Sequence, residues 1–157
     1  MGFWTHPGRA VAIVTGGSLP AGREVARGLA SRAWPVVIVY LDHQSRAEAT
    51  IAEIIAVGGT AIAVRADLAD DLDVQRLFTE SAAEFGGVDV VVHTTPDSAV
   101  LLCRHAARQL RPRGAIVVTS ASEPSTPHVH ERDITVERVA PQGVLAYLDI
   151  WLRRNGG

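Results

Sequence analysis

The chain has 157 residues, of which 47% are hydrophobic and 20% charged. That is enough chain for one real core and the composition of an ordinary globular protein, so residues 1–157 are expected to form a single domain. A formal net charge of -2 gives no global pull toward nucleic acid or an anionic membrane surface.

The first nine residues, MGFWTHPGR, lack the basic stretch and apolar run of a secretory signal. No apolar run approaches the roughly 20 residues of a membrane-spanning helix. Cys103 is the one cysteine, which rules out an internal disulfide and a cysteine-based zinc site. A cytoplasmic protein is the simplest expectation. All 15 basic residues other than histidine are arginine, which removes any mechanism that needs a lysine ammonium.

Short Val- and Ile-rich runs occupy residues 10–15, 35–40, 60–66, 88–93, 114–120 and 134–140. They read as strands buried on both faces of a parallel sheet. Segments with helical periodicity lie between them. Over 22–33, Val25, Ala26, Leu29 and Ala30 share one face, with Arg23, Glu24, Arg27 and Arg32 outside it. Over 45–57, Ala47, Ile51, Ile54, Ile55 and Ala56 cluster, and Gly58-Gly59 ends the run. Over 71–85, Leu72, Val74, Leu77, Phe78, Ala82 and Phe85 do the same before another glycine pair. A fourth helix is expected over 98–110, ended by RPRG, and a fifth over 143–153. Residues 121–133, with two prolines and no apolar stripe, read as a loop. This alternation predicts an α/β fold: a Rossmann-like doubly wound parallel sheet of about six strands with helices on both faces. The sixth strand pairs either in this sheet or with another chain.

Five stretches carry a family resemblance. VTGGSLPAGREVARGLA (14–30) matches a T-G-x-x-x-G-x-G turn and its following helix. VRADLAD (64–70), FGGVDVVVHTT (85–95), LRPRGAIVVTSAS (110–122) and ITVERVAPQG (134–143) match a third strand ending in Asp, an F-G-x-[LI]-D-x-[LV]-V-N-N-A-G segment, a fifth strand and a sixth strand with its P-G turn. In this order the chain resembles the short-chain dehydrogenase/reductase family, as a truncated and degenerate member. The resemblance runs from about residue 9 to about residue 143.

The departures are specific. Pro20 replaces the second motif glycine. His93-Thr94-Thr95-Pro96 stands where N-N-A-G is expected. About twenty residues after that motif, including most of the fourth helix, have no counterpart. Ala121 falls at the catalytic serine position, between Ser120 and Ser122. The Tyr-x-x-x-Lys segment and its helix are absent between strands five and six.

The resemblance implies NAD or NADP at the first turn. There the first glycine makes the turn, the second admits the pyrophosphate, and the helix N-terminus supplies amides and a partial positive charge. Gly16 and Gly22 are in place, and Ser18 is a candidate helix cap. Pro20 lacks an N–H but suits a first helical turn, so the residues leave open both a phosphate site and a well-formed helix start that binds no cofactor. Asp42, after strand two, would repel a 2′-phosphate and favours NAD slightly; an exposed loop carboxylate is the alternative. Asp67 is the implied adenine partner or a cap for the next turn. Thr94 completes the cofactor-facing set.

The implied chemistry needs a Tyr of lowered pKa beside a Lys. Tyr40 and Tyr147 do not match that motif. His93, Ser120 and Ser122, at the carboxyl ends of strands four and five, are the substitute acid–base candidates; alternatively His93 fills the space of the lost Asn and bonds to backbone. His128 and His130 lack a third ligand at metal spacing, so no metal is expected.

Three functions follow. The favoured one is a nucleotide-binding or vestigial family member without standard ketoreductase activity, working through ligand sensing or protein contacts. The others are a biosynthetic enzyme doing non-redox acid–base chemistry (isomerase, dehydratase or cyclase) and an NAD(P)-dependent oxidoreductase completed by a partner subunit. Loss of the helices that cover the sheet leaves apolar surface. A homo-oligomer or partner protein is expected to cover it, with the helix at 143–153 a candidate cover, swapped between chains.

Overall fold

A computed structural model of the chain describes residues 10–97, 99–119 and 133–155. Strands β1 (Ala12–Thr15), β2 (Val36–Tyr40), β3 (Ala61–Arg65), β4 (Val88–His93), β5 (Leu110–Val118) and β6 (Thr135–Arg138) form one sheet in the order β3-β2-β1-β4-β5-β6. Every neighbouring pair is parallel. β6 pairs with β5 of its own chain, Ala115 opposite Thr135 and Val118 opposite Arg138, so the sheet itself takes up the sixth strand. The helices are α1 (Pro20–Ser31), α2 (Gln44–Ala56), α3 (Asp71–Phe85), α4 (Val100–Gln109) and α5 (Val144–Asn155). This is the expected doubly wound α/β architecture.

Alternate strand residues feed two cores. Ala12, Val14, Val36, Ile38, Val90, Val92, Ala115 and Val117 face α1, α2 and α5. Ile13, Val37, Val39, Val91, Ile116 and Val118 face α3 and α4. Both faces of the central strands are covered, which is why those strands read as unbroken apolar runs.

Several expectations are corrected. The fourth helix is present over ten residues, in keeping with the span expected over 98–110 and against the expectation from the family motif that most of it has no counterpart. β5 begins at Leu110, so RPRG lies inside the strand rather than closing a helix. The β4–β5 register shifts between Val88 and Val90, and Arg113 takes a left-handed φ of 67°. Ile55, Leu72 and Ile150, expected on apolar faces, are exposed.

α3 and α4 lie on one face. α5 packs on the other. Its Trp151 ring meets Trp34 at 6.1 Å between centroids, Arg32 grips Asp149 with two bonds of 2.8 and 3.0 Å, and Leu145 lies over Gly28 so closely that a Cβ there would overlap its methyls.

Candidate functional site

The carboxyl ends of β1, β2 and β3 open into a cleft of about 430 Å³. Its walls are Thr15 at the end of β1 with Gly16, Ser18 and Leu19 after it, residues 39–43 around the end of β2, and residues 66–69 after β3, with Thr95 and Asp97 from beyond β4. This is the switch point where β1 sits between β2 and β4, the place where open α/β sheets bind ligands.

The turn after β1 depends on its glycines. Gly16 has φ +67°, and a Cβ on it would lie 2.6 Å from Thr94 Oγ1 and 2.7 Å from Thr95 Cγ2. A Cβ on Gly22 would overlap the carbonyl of Gly16, so the second retained glycine lets α1 close against the turn. Ser18 does not cap α1. Leu19 N–H donates to Gly16 O at 2.9 Å, and Pro20 at the first helical position forces its predecessor to be extended. The cap therefore falls on Leu19 (φ -108°, ψ 159°), with no side-chain bond. The ring of Pro20 occupies one donor position. Arg23 N–H bonds to Leu19 O, which leaves the Ala21 and Gly22 amides as the helix-end donors without an intrahelical acceptor.

The expected residues fall into two groups. Gly16, Ser18, Asp42 and Asp67 line the cleft. Asp67 Oδ1 accepts from Ala69 N–H at 2.9 Å, so this carboxylate does fold the following turn; it stands in the cleft wall as well. Asp42 is exposed on the rim. Ser120, Ser122, His128 and His130 lie outside the described residues. Among the described residues no cluster of His, Cys, Asp and Glu could hold a metal.

His93 and Thr94 are turned inward. His93 is fully buried. Its Nε2 lies 2.9 Å from the carbonyl of Asp97, and a carbonyl only accepts, so Nε2 carries the proton. Nδ1 then accepts from Thr15 Oγ1 at 2.9 Å, and Thr15 Oγ1 accepts in turn from Thr94 N–H at 3.0 Å. Thr94 Oγ1 donates to Thr15 O at 2.7 Å. Burial holds the imidazole pKa below its ordinary value, against the opposing effect of Asp97. His93 thus occupies the place of the lost Asn and ties β1, β4 and the following loop together.

Thr15, Thr95 and Asp97 were not among the residues expected from sequence. The β1–β4 register, Val14 opposite Val92, brings Thr15 beside His93. Thr95 holds a buried hydroxyl oxygen without a partner, in the wall of the cleft. Its signal in the sequence is its position two residues beyond the end of β4. These features fit a bound nucleotide: a glycine turn that admits no side chain, two helix-end amides, and an orphaned buried hydroxyl that a ligand oxygen would satisfy.

At the opposite edge, Asp89 is buried, accepts from Val11 N–H at 2.8 Å and meets Arg111 at 3.2 Å. Burial pushes its carboxyl up to about 6, against the pull of the Val11 bond and Arg111.

A profile of the short chain dehydrogenase family matches residues 10–95. The chain belongs to the short-chain dehydrogenase/reductase family. A 3-oxoacyl-acyl-carrier-protein reductase of Synechocystis is 41% identical over 83 residues, 53% of this chain and 34% of that protein. The Staphylococcus aureus reductase of the same description is 37% identical over 82 residues, 52% and 33% of the two chains. The chain thus spans about a third of the length of these short-chain dehydrogenase/reductase relatives. A solved dehydrogenase/reductase of Sinorhizobium meliloti superposes with a TM-score of 0.71 at 23% identity, over 91% of this chain and 87% of that one. A short chain dehydrogenase of Burkholderia cenocepacia, in complex with NADP, gives 0.64 at 27% identity, over 96% and 71%.

Proposed function

We propose that the chain is a nucleotide-binding short-chain dehydrogenase/reductase domain. It takes a nicotinamide adenine dinucleotide in the cleft and does not by itself perform the carbonyl–alcohol hydride transfer. The observation that carries the binding reading is the turn at Gly16, whose backbone excludes a Cβ and stands beside the partnerless hydroxyl of Thr95. Gly16, Gly22 and the Ala21 amide would hold the diphosphate, Asp42 a ribose hydroxyl, and the 66–69 segment the adenine edge. The NADP complex of the Burkholderia neighbour supports a ligand of this class.

NAD is favoured over NADP. Asp42 and Asp67 line the cleft and no arginine does among the described residues, so a 2′-phosphate would meet carboxylates rather than a cation. A nicotinamide bound here would supply or accept a hydride. The chain's own residues offer no matching proton donor: the sequence has no Lys, His93 is locked between Thr15 and Asp97, and neither tyrosine fits the Tyr-x-x-x-Lys pattern.

Titration of NAD(H) and NADP(H) followed by melting temperature tests the proposal. A ligand far above its dissociation constant stabilises the fold, by about 2.7 kcal/mol at a hundredfold excess. A stabilising shift with NAD, larger than with NADP, is expected. No shift with either at millimolar concentration removes the binding reading, and hydride turnover on simple ketones by the isolated chain removes the non-catalytic one.

A further inference from the structure

We propose that Thr50, a residue of α2 outside the cleft, is a positioning residue for the turn after β1: its hydroxyl holds the Gly17–Ser18 peptide so that the Ser18 N–H joins the donors to the diphosphate. This rests on the nucleotide reading above and adds to it a residue that lies outside the glycine turn.

The turn is backed by two other elements. Gly17 is buried, and a Cβ on it would overlap Cγ2 of Ile38 in β2. α2 packs on the same side, its Ala47 and Ile54 sharing a core with Ile38. Thr50 is 1% exposed, and its Oγ1 donates to Gly17 O at 3.1 Å. Arg46 O lies at the same distance from that hydroxyl, but it already accepts the helical bond of Thr50 N–H. Gly17 O has no other donor among the described residues. A buried carbonyl needs a partner, so the single hydrogen of Thr50 belongs to Gly17 O.

That bond fixes more than a carbonyl. No described peptide bond is cis, and in a trans peptide the N–H points opposite to the C=O. With the Gly17 carbonyl held on the α2 side, the Ser18 N–H is turned away from α2. Ser18 stands in the cleft wall and Thr50 does not. Among the described residues the Ser18 N–H has no acceptor, so a phosphate oxygen is a fitting partner for it, beside the Ala21 and Gly22 amides. Without the hydroxyl, Gly17 O is a buried acceptor with no donor, and a peptide that follows a glycine is free to rotate in search of one. Rotation takes the Ser18 N–H out of line.

Calorimetric titration of the full chain with NAD and ADP, together with the Ser18 amide resonance in heteronuclear NMR spectra, tests this. Saturation of the wild type with ADP is expected to shift the Ser18 amide signal. Thr50→Val is expected to weaken NAD and ADP by about tenfold, the loss of one hydrogen bond to a charged ligand. Thr50→Ser, which keeps the hydroxyl, is expected to stay within about threefold of the wild type. A Ser18 signal that does not move when ADP saturates the wild type overturns the inference, and this measurement needs no variant to fold. Equal affinities of wild type and Thr50→Val overturn it too, as does a loss in Thr50→Ser as large as that in Thr50→Val. Each of these leaves the nucleotide reading standing. Silence of the wild type toward both ligands removes that reading together with this one.

Discussion

His93 Nε2–H donates to the carbonyl of Asp97 at 2.9 Å and Nδ1 accepts from Thr15 Oγ1 at the same distance. One ring thereby spans the end of β4, the end of β1 and the loop that leads to α4. Replacing it by His93→Phe keeps the ring and strands both partners in a buried setting. The expected cost is about 2–4 kcal/mol, measured by urea unfolding at pH 8. The imidazole pKa is depressed by burial, so the stability it contributes is present above the ordinary histidine range and is lost as pH falls through the folded value. His93→Phe is therefore expected to lose the wild-type decline below about pH 6.5. A variant with unaltered acid sensitivity would show that the ring is not held neutral.

Asp89 has the opposite sign. Its carboxyl is pushed up to about 6 in the fold from about 3.9 in an unfolded chain. The stability it contributes is complete below about pH 4 and is lost as pH rises to about 6, on the order of 3 kcal/mol. Asp89→Asn is expected to flatten stability across that window, read from melting temperatures at pH 4, 5 and 6. Persistence of the same slope in the variant would place the titration elsewhere.

Pro20 occupies the first position of α1 and gives no N–H to the cleft. Pro20→Ala restores a donor there. The expected outcome is nucleotide binding tighter by about tenfold and a fold weaker by about 0.4–1 kcal/mol, because proline restricts the unfolded chain. Calorimetry and thermal unfolding read the two effects separately, and an affinity that does not rise means that the phosphates do not approach this turn.

The attachment of α5 is expected to rest on its rings rather than its charges. Trp151→Ala removes a buried indole packed against Trp34 and should cost about 3–5 kcal/mol. Asp149→Ala breaks the half-exposed pair with Arg32 and should cost under about 1 kcal/mol. Chemical unfolding of both variants checks the order, and equal losses would contradict it.

The central strands were legible because both of their faces are covered, which turns each into an apolar run such as Val88–His93. Gly16 and Gly22 could be read for the turn because only glycine fits there. The cap at Leu19 was not legible in the same stretch, since it follows from Pro20 fixing its neighbour rather than from a side chain that accepts a bond. RPRG looks like a helix stop, yet its residues join β5, with Gly114 packed against the carbonyl of Asp89; only the neighbouring strand reveals that. The roles of His93 and Thr95 depend on the β1–β4 register, which joins residues 78 apart in sequence and leaves no local pattern.

That seam also bears on time. Every other pairing in the sheet joins strands consecutive in the chain, whereas β1 must also find β4 across the intervening β2 and β3. Closing the longer loop costs more entropy and delays the contact. The floor of the cleft is thus completed only when the two halves of the sheet join, after each half has its own local pairings. A ligand that contacts Thr95 and Asp97 as well as the ends of β1, β2 and β3 finds the complete wall only in the joined sheet. It would lengthen the lifetime of the finished fold while leaving the rate at which the fold forms unchanged.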